Sequence, residues 1–133
     1  APRLDRDEYG PRVLLDPNHS HFLLVPGDRW GDESPWLTAV AERLAGGRGT
    51  LMLVAGGGEV TQWDVLHRLR QRGRVLTLAG SGGTADALVA WRRGEQPPPV
   101  AELIGVDQAR LEVLDLKGAG DQLPGLLAQA FAT

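Results

Sequence analysis

Val75-Leu76-Thr77-Leu78-Ala79-Gly80-Ser81-Gly82-Gly83-Thr84-Ala85 reads as a strand, a tight turn and the start of a helix. Val75 to Ala79 is an apolar, β-branched run of strand length. Gly80 to Gly83 then form a turn, and Ala85, Leu88, Val89 and Trp91 follow at helical spacing as far as Gly94. Gly80 to Ala85 matches G-x-G-x-x-A in the strand-to-helix context that gives the pattern meaning. Glycine tolerates positive φ and lets the backbone come close to a phosphate. The helix that opens next offers free N–H groups and the positive end of its dipole. The hydroxyls of Ser81 and Thr84 can add hydrogen bonds to an anion. A plainer role is also open: a tight turn in which Ser81 or Thr84 only caps the helix. The acidic residue that would hold a ribose on the next strand has no counterpart, which argues against an ordinary NAD dehydrogenase.

The same grammar extends outward. Thr50 to Ala55 is a second buried-strand pattern, followed at once by Gly56-Gly57-Gly58. A helix is expected from about Val60 to Arg72, with Trp63, Leu66 and Leu69 inward and Arg68, Arg70 and Arg72 in its last turn, the sign favoured there. Upstream, His21-Phe22-Leu23-Leu24-Val25 is an apolar run closed by Pro26-Gly27, expected as a buried strand. Ser34-Pro35 opens a helix whose Leu37, Val40, Ala41 and Leu44 are expected to pack on a core, with Gly46-Gly47 ending it. Downstream come a Pro97-Pro98-Pro99 linker, a short helix near Val100 to Ile104, a fourth strand over Leu111 to Leu116, and a last helix beginning at Pro124. That helix has Leu126, Leu127, Ala130 and Phe131 on one side. Strands alternating with helices predict an α/β, Rossmann-like open and mostly parallel sheet with helices on both faces. Residues 1–12 read as a flexible arm, and residues 13–133 as a single domain.

Composition narrows the function classes. The formal net charge is −3, against a basic nucleic-acid-binding surface. With no cysteine there is neither a disulfide framework nor thiolate chemistry, which suits a reducing, cytoplasmic compartment. No apolar run is long enough to span a bilayer, and the polar N-terminus is no secretory signal. The expected partner is a small ligand, with neither nucleic acid nor membrane, and no cofactor or metal is expected.

Glycine is frequent, 18 of 133 residues, and clusters at Gly46-Gly47, Gly56 to Gly58 and Gly80 to Gly83, the last two clusters each following an apolar run. Three in a row at Gly56 to Gly58 are costly to order, which favours close approach of a ligand there. Glu59 can accept from ribose hydroxyls or act as a general base; an acidic residue favoured by the helix dipole is an equal reading. In Asp16-Pro17-Asn18-His19-Ser20-His21 the two histidines lack a third ligand, so a turn built on Asp16, Pro17 and Asn18 is favoured over a metal site. Trp30, in the loop Asp28 to Asp32, can stack on a base or simply cover the edge of the core. No Ser-His-Asp arrangement or G-x-S-x-G elbow is present.

Leu15-Asp16-Pro17-Asn18-His19-Ser20-His21-Phe22-Leu23-Leu24-Val25 resembles the signature segment of the SLOG-type domain at the N-terminus of melastatin-type TRP channels. The free-standing bacterial relatives of that domain are called LSDAT proteins. Trp30-Gly31 and Pro35 before a helix, Gly56-Gly57 after a strand, and Gly80-Ser81-Gly82 with Ala85-Asp86 resemble later motifs of the family in the same order. The resemblance covers roughly residues 13–93. It implies a Rossmann-like sensor of NAD-derived nucleotides such as ADP-ribose. The ligand contacts would be Gly56, Gly57, Gly58, Glu59, Gly80, Ser81, Gly82, Gly83, Thr84 and Trp30, with phosphates on the amides of Gly82, Gly83 and Thr84. Three positions depart from the family pattern: Gly83 and Leu37 stand where arginines are expected, and Ala55 where an acidic residue is. Two bidentate phosphate partners are thereby missing. Family domains also carry an earlier β-α portion, so the resemblance implies that a missing segment or a second copy completes the site.

Related hydrolases that cleave N-glycosidic bonds of nucleoside monophosphates resemble P-G-G-x-G-T-x-x-E at the second loop. Ala55-Gly56-Gly57-Gly58-Glu59-Val60-Thr61-Gln62 departs at the proline, the third glycine and the threonine, which favours binding over catalysis. Under the enzymatic alternative, Glu59 or Asp64 would supply the carboxylate. A second alternative is an interaction domain with a degenerate pocket.

Overall fold

The structure, a computed structural model, describes residues 15–131; the expected arm at residues 1–12 lies outside them. The described elements are α1 (Ser34–Ala45), β1 (Leu51–Val54), α2 (Glu59–Arg70), β2 (Arg74–Ala79), α3 (Gly83–Arg92), β3 (Leu111–Asp115) and α4 (Ala119–Phe131), with three 3-10 turns near residues 101, 108 and 116. The strands form one parallel sheet in the order β1-β2-β3. The α/β class and the parallel sheet expected from the alternating pattern are therefore present.

The alternation along β2 splits the core. Val75 points to the face covered by α2 and α3, where Val65, Leu66 and Leu69 meet Leu88, Trp91, Leu103 and Leu111. Leu76 and Leu78 point to the other face, where Leu114, Ala119, Leu123 and Leu126 gather beneath α4. A strand buried on both faces favours apolar residues on both, which is why 75–79 reads as a near-continuous run broken only by Thr77, itself fully buried.

Three expectations are corrected. His21 to Val25 joins no strand ladder among the described residues, and Leu23 is 67% exposed; an apolar run specifies a strand only where an edge is offered to it. The segment before it does form the expected turn: the Asp16 carboxylate accepts from Asn18 N and Asn18 Nδ2, both at 2.9 Å, and lies 3.3 Å from His19 Nδ1. Helix α1 carries Pro35 in its first turn and stops as expected at Gly46, left-handed at φ 59°, but its N-cap is Glu33 and not the expected Ser34, and no side chain caps it. Its apolar stripe, however, faces mostly outward, with Leu37 and Ala41 exposed and Leu44 77% exposed, and only Val40 half-buried. Ser34 and Thr38 are buried instead, and their hydroxyls have no partner among the described residues. Finally, α4 begins at Ala119 and contains Pro124, so that proline gives up one helical hydrogen bond instead of opening the helix.

The rotation of α1 follows from Arg68, which is 3% exposed. Its guanidinium pairs with Glu42 of α1 and bonds to the Thr50 hydroxyl, and donates to the Thr50 carbonyl at 2.8 Å. The Thr50 hydroxyl in turn donates to Glu42. A Cβ at Gly73 would strike that guanidinium, so the glycine makes room for it. A buried guanidinium must be paired, and Glu42 lies on the polar side of α1; holding it in place turns the apolar stripe away.

These bonds, first the Thr50 hydroxyl and then Arg68, hold the Glu42 carboxyl below its ordinary pKa of 4.5. Backbone N–H groups of Asp28 and Arg29 lower that of Asp32 in the same way. A depressed folded-state pKa contributes stability above the unfolded value that is lost as pH falls through the folded one. Urea unfolding across pH should therefore show stability dropping below pH 4.5. Glu42→Gln should flatten that acid limb, and Arg68→Ala should cost about 1–3 kcal/mol at neutral pH through lost hydrogen bonds and packing, since the Glu42 it leaves behind is half exposed.

Candidate functional site

Parallel strands bring their C-terminal ends to one edge of the sheet, where open α/β folds bind ligands. Here β1 delivers Gly56 to Gly58 and β2 delivers Gly80 to Gly82, side by side. The two turns are stitched together. Thr84 N donates to Gly57 O at 3.0 Å, and Ala85 N to Gly56 O at 2.9 Å. Gly56 N donates to Ser81 Oγ at 2.9 Å, while Ser81 Oγ donates to Leu78 O at 2.7 Å. Thr84 Oγ1 donates to Gly58 O at 2.8 Å, and Gln62 Nε2 reaches Thr84 Oγ1 at 3.5 Å.

The glycines divide into those required by this stitching and those left open. Gly57 has φ 95°, and a Cβ there would lie 2.6 Å from Thr61 Oγ1. Gly83 has φ 55°, and a Cβ there would collide with Gly57 O and come within 3.2 Å of Gly56 C. The position where the family resemblance expects an arginine is thus held to glycine by the neighbouring loop, since a side chain would push the two turns apart. Gly58 and Gly82, by contrast, have nothing within 4 Å of an added Cβ.

Asp86 closes the turn from the other side. Its carboxylate accepts from Gly80 N at 2.7 Å and from Gly82 N at 3.1 Å. A carboxylate of the chain itself thus sits on two of the amides that a Gly-rich turn offers to an anion. Asp86 is absent from the ligand contacts expected from sequence, although Ala85-Asp86 belongs to the turn motif that resembles the family's; a further signal was its place as an acidic residue in the first turn of α3.

Of the expected contacts, the structure gathers Gly56, Gly57, Gly58, Gly80, Ser81, Gly82, Gly83 and Thr84 at one place. The amides of Gly82 and Thr84, and the hydroxyls of Ser81 and Thr84, are already engaged within the protein. Glu59 opens α2 directly behind Gly58, exposed, with no side-chain cap on that helix. Asp64 lies five positions further, roughly 140° around the helix. Its Oδ1 is buried without a partner among the described residues, so the two alternative carboxylates do not share a direction. Trp30 is 68% exposed on the loop before α1. That loop reaches α2 at Gly31, where an added Cβ would lie 4.0 Å from the Trp63 ring. Among the described residues no three His, Cys, Asp or Glu side chains come together to hold a metal.

The stitching separates two otherwise similar substitutions. Gly83→Ala should destabilise the protein by about 1–3 kcal/mol, because it meets both positive φ and the Gly57 carbonyl. Gly58→Ala, at an open helix N-cap with extended backbone, should cost under about 1 kcal/mol. Urea unfolding of the two variants checks the contrast.

No solved structure matches the chain. A family model described as SLOG in TRPM, prokaryote, matches residues 2–123. The match spans nearly the whole chain, including the signature segment and both stitched turns, so the protein belongs to the prokaryotic family of the SLOG domain found in TRPM channels.

Proposed function

We propose that the edge built by the Gly56 and Gly80 turns binds a nucleotide-derived ligand, ADP-ribose or another NAD-derived nucleotide, and that the protein senses this ligand without transforming it. The carrying observation is the pair of glycine turns locked together at the C-terminal ends of adjacent parallel strands, in a chain of the SLOG family. Membership of that family points to nucleotide-related ligands in general. The choice among them rests on the chemistry of the edge.

The stitching directs the ligand outward. Gly83 N takes no acceptor among the described residues, and α2 opens on Gly58 with no side chain satisfying its first amides. A phosphate resting against Gly83 and the start of α2 uses these open donors and the α2 dipole. The bare backbone of Gly58 and Gly82 permits close approach, and in this reading the exposed Glu59 accepts from a ribose hydroxyl and the exposed Trp30 ring stacks on a base. Ser81 and Thr84 act by holding the two turns in register.

Calorimetric titration and thermal shift with ADP-ribose, cyclic ADP-ribose, NAD and AMP test the reading. Saturable heat and a raised Tm are expected with at least one of the four. No response to any of them would sink it. Release of free base from AMP, abolished in Glu59→Gln or Asp64→Asn, would replace sensing with hydrolysis.

A further inference from the structure

The arginines of the described chain lie almost entirely at the far edge of the sheet. Arg43 and Arg48 stand at the end of α1 and before β1; Arg68, Arg70, Arg72 and Arg74 span the end of α2 and the start of β2; Arg92 and Arg93 end α3, and Arg110 precedes β3. This is where helix dipoles favour cations, and it is the edge opposite the glycine turns. Arg29 is the exception, on the loop before α1, with Asp28 at 3.7 Å. The segments that leave the three strands at the other edge are Ala55 to Gly58, Gly80 to Gly82 and Leu116 to Gly118. They contain a single cation, Lys117, which is also the only lysine in the sequence.

We propose that Lys117 is the phosphate-binding cation of this site, in place of the guanidinium that Gly83 cannot carry. The inference rests on the nucleotide-binding reading of the same edge. β2 and β3 leave the sheet in register, Ala79 opposite Asp115. An added Cβ at Gly80 would lie 3.9 Å from Leu116 Cβ. Lys117 is the next residue, and its backbone is pinned by Lys117 N donating to Asp115 Oδ1 at 2.9 Å. The side chain is exposed, and its ammonium takes no part in the ion pairs found among the described residues. An ammonium on a flexible four-carbon stem acts on phosphate as a point charge and needs no fixed bidentate geometry. It can therefore serve from the third strand what an arginine on α3 would otherwise supply. The ligand class follows: a nucleotide whose phosphate meets the Gly83 amide at the Gly80 turn, with the Lys117 side chain reaching it from the end of β3.

The test compares AMP and ADP-ribose with adenosine, which lacks the phosphate, on the wild-type chain, Lys117→Gln and Lys117→Arg. Lys117→Gln should weaken the phosphorylated ligands about tenfold or more while leaving adenosine unchanged, and Lys117→Arg should recover most of the loss. Because the lysine is unique, reductive 13C-methylation gives it one ε-dimethylammonium NMR signal. That signal should move saturably with AMP or ADP-ribose and stay still with adenosine. Equal affinity of wild type and Lys117→Gln for the phosphorylated ligands overturns the role of Lys117 and leaves the nucleotide site standing. Absence of wild-type binding to every nucleotide overturns both.

Discussion

The bond pair from Thr84 N to Gly57 O and from Ala85 N to Gly56 O is the constraint on which the site depends. It closes the Gly56 turn onto the first turn of α3, the helix that follows the other glycine turn. A helix N-terminus leaves its first amides unsatisfied, and here two of them are satisfied by another loop instead of by a cap or a ligand. Gly83 must then lack a side chain, since a Cβ would meet the Gly57 carbonyl. Ser81 and Thr84 are drawn into the same seam from opposite directions. The open donors left over are at Gly83 and at the start of α2.

Charge placement follows from the handedness of the fold. Parallel strands linked by helices put every helix C-terminus beside a strand start, and arginines accumulate there. The strand ends receive helix N-termini, and the acidic residues of the first turns, Glu59, Asp86 and Asp121, come with them. An anion at that edge is attracted by dipoles and amides but repelled by carboxylates. Asp86 sharpens the conflict, because its carboxylate already takes the Gly80 and Gly82 amides. This makes the lone lysine of the third strand more consequential than its surface position suggests.

The Arg68 network shows a buried charge setting the orientation of a helix. Pairing Arg68 with Glu42 and Thr50 turns the polar side of α1 inward. The apolar stripe of Leu37 and Leu44 is left outside, although its periodicity is a sound helix signal. Periodicity establishes that a helix forms and that one side is apolar; it does not say which neighbour that side will meet.

Local chemistry in the sequence determined the three parallel strands, the helices between them and the two glycine turns. Strand runs, helix punctuation and positive-φ glycines are properties of neighbouring residues, and they are legible one segment at a time. Tertiary structure alone decided that His21 to Val25 pairs with no strand among the described residues and that α1 faces as it does, because each depends on what edge or charge another segment presents. It also decided the function-bearing details of the site. The glycine at position 83 reads in sequence as a lost arginine; in the fold it is the residue that lets two turns lock. Asp86 and Lys117, distant in sequence from the Gly56 loop, reach the same edge only because β1, β2 and β3 run parallel and end together.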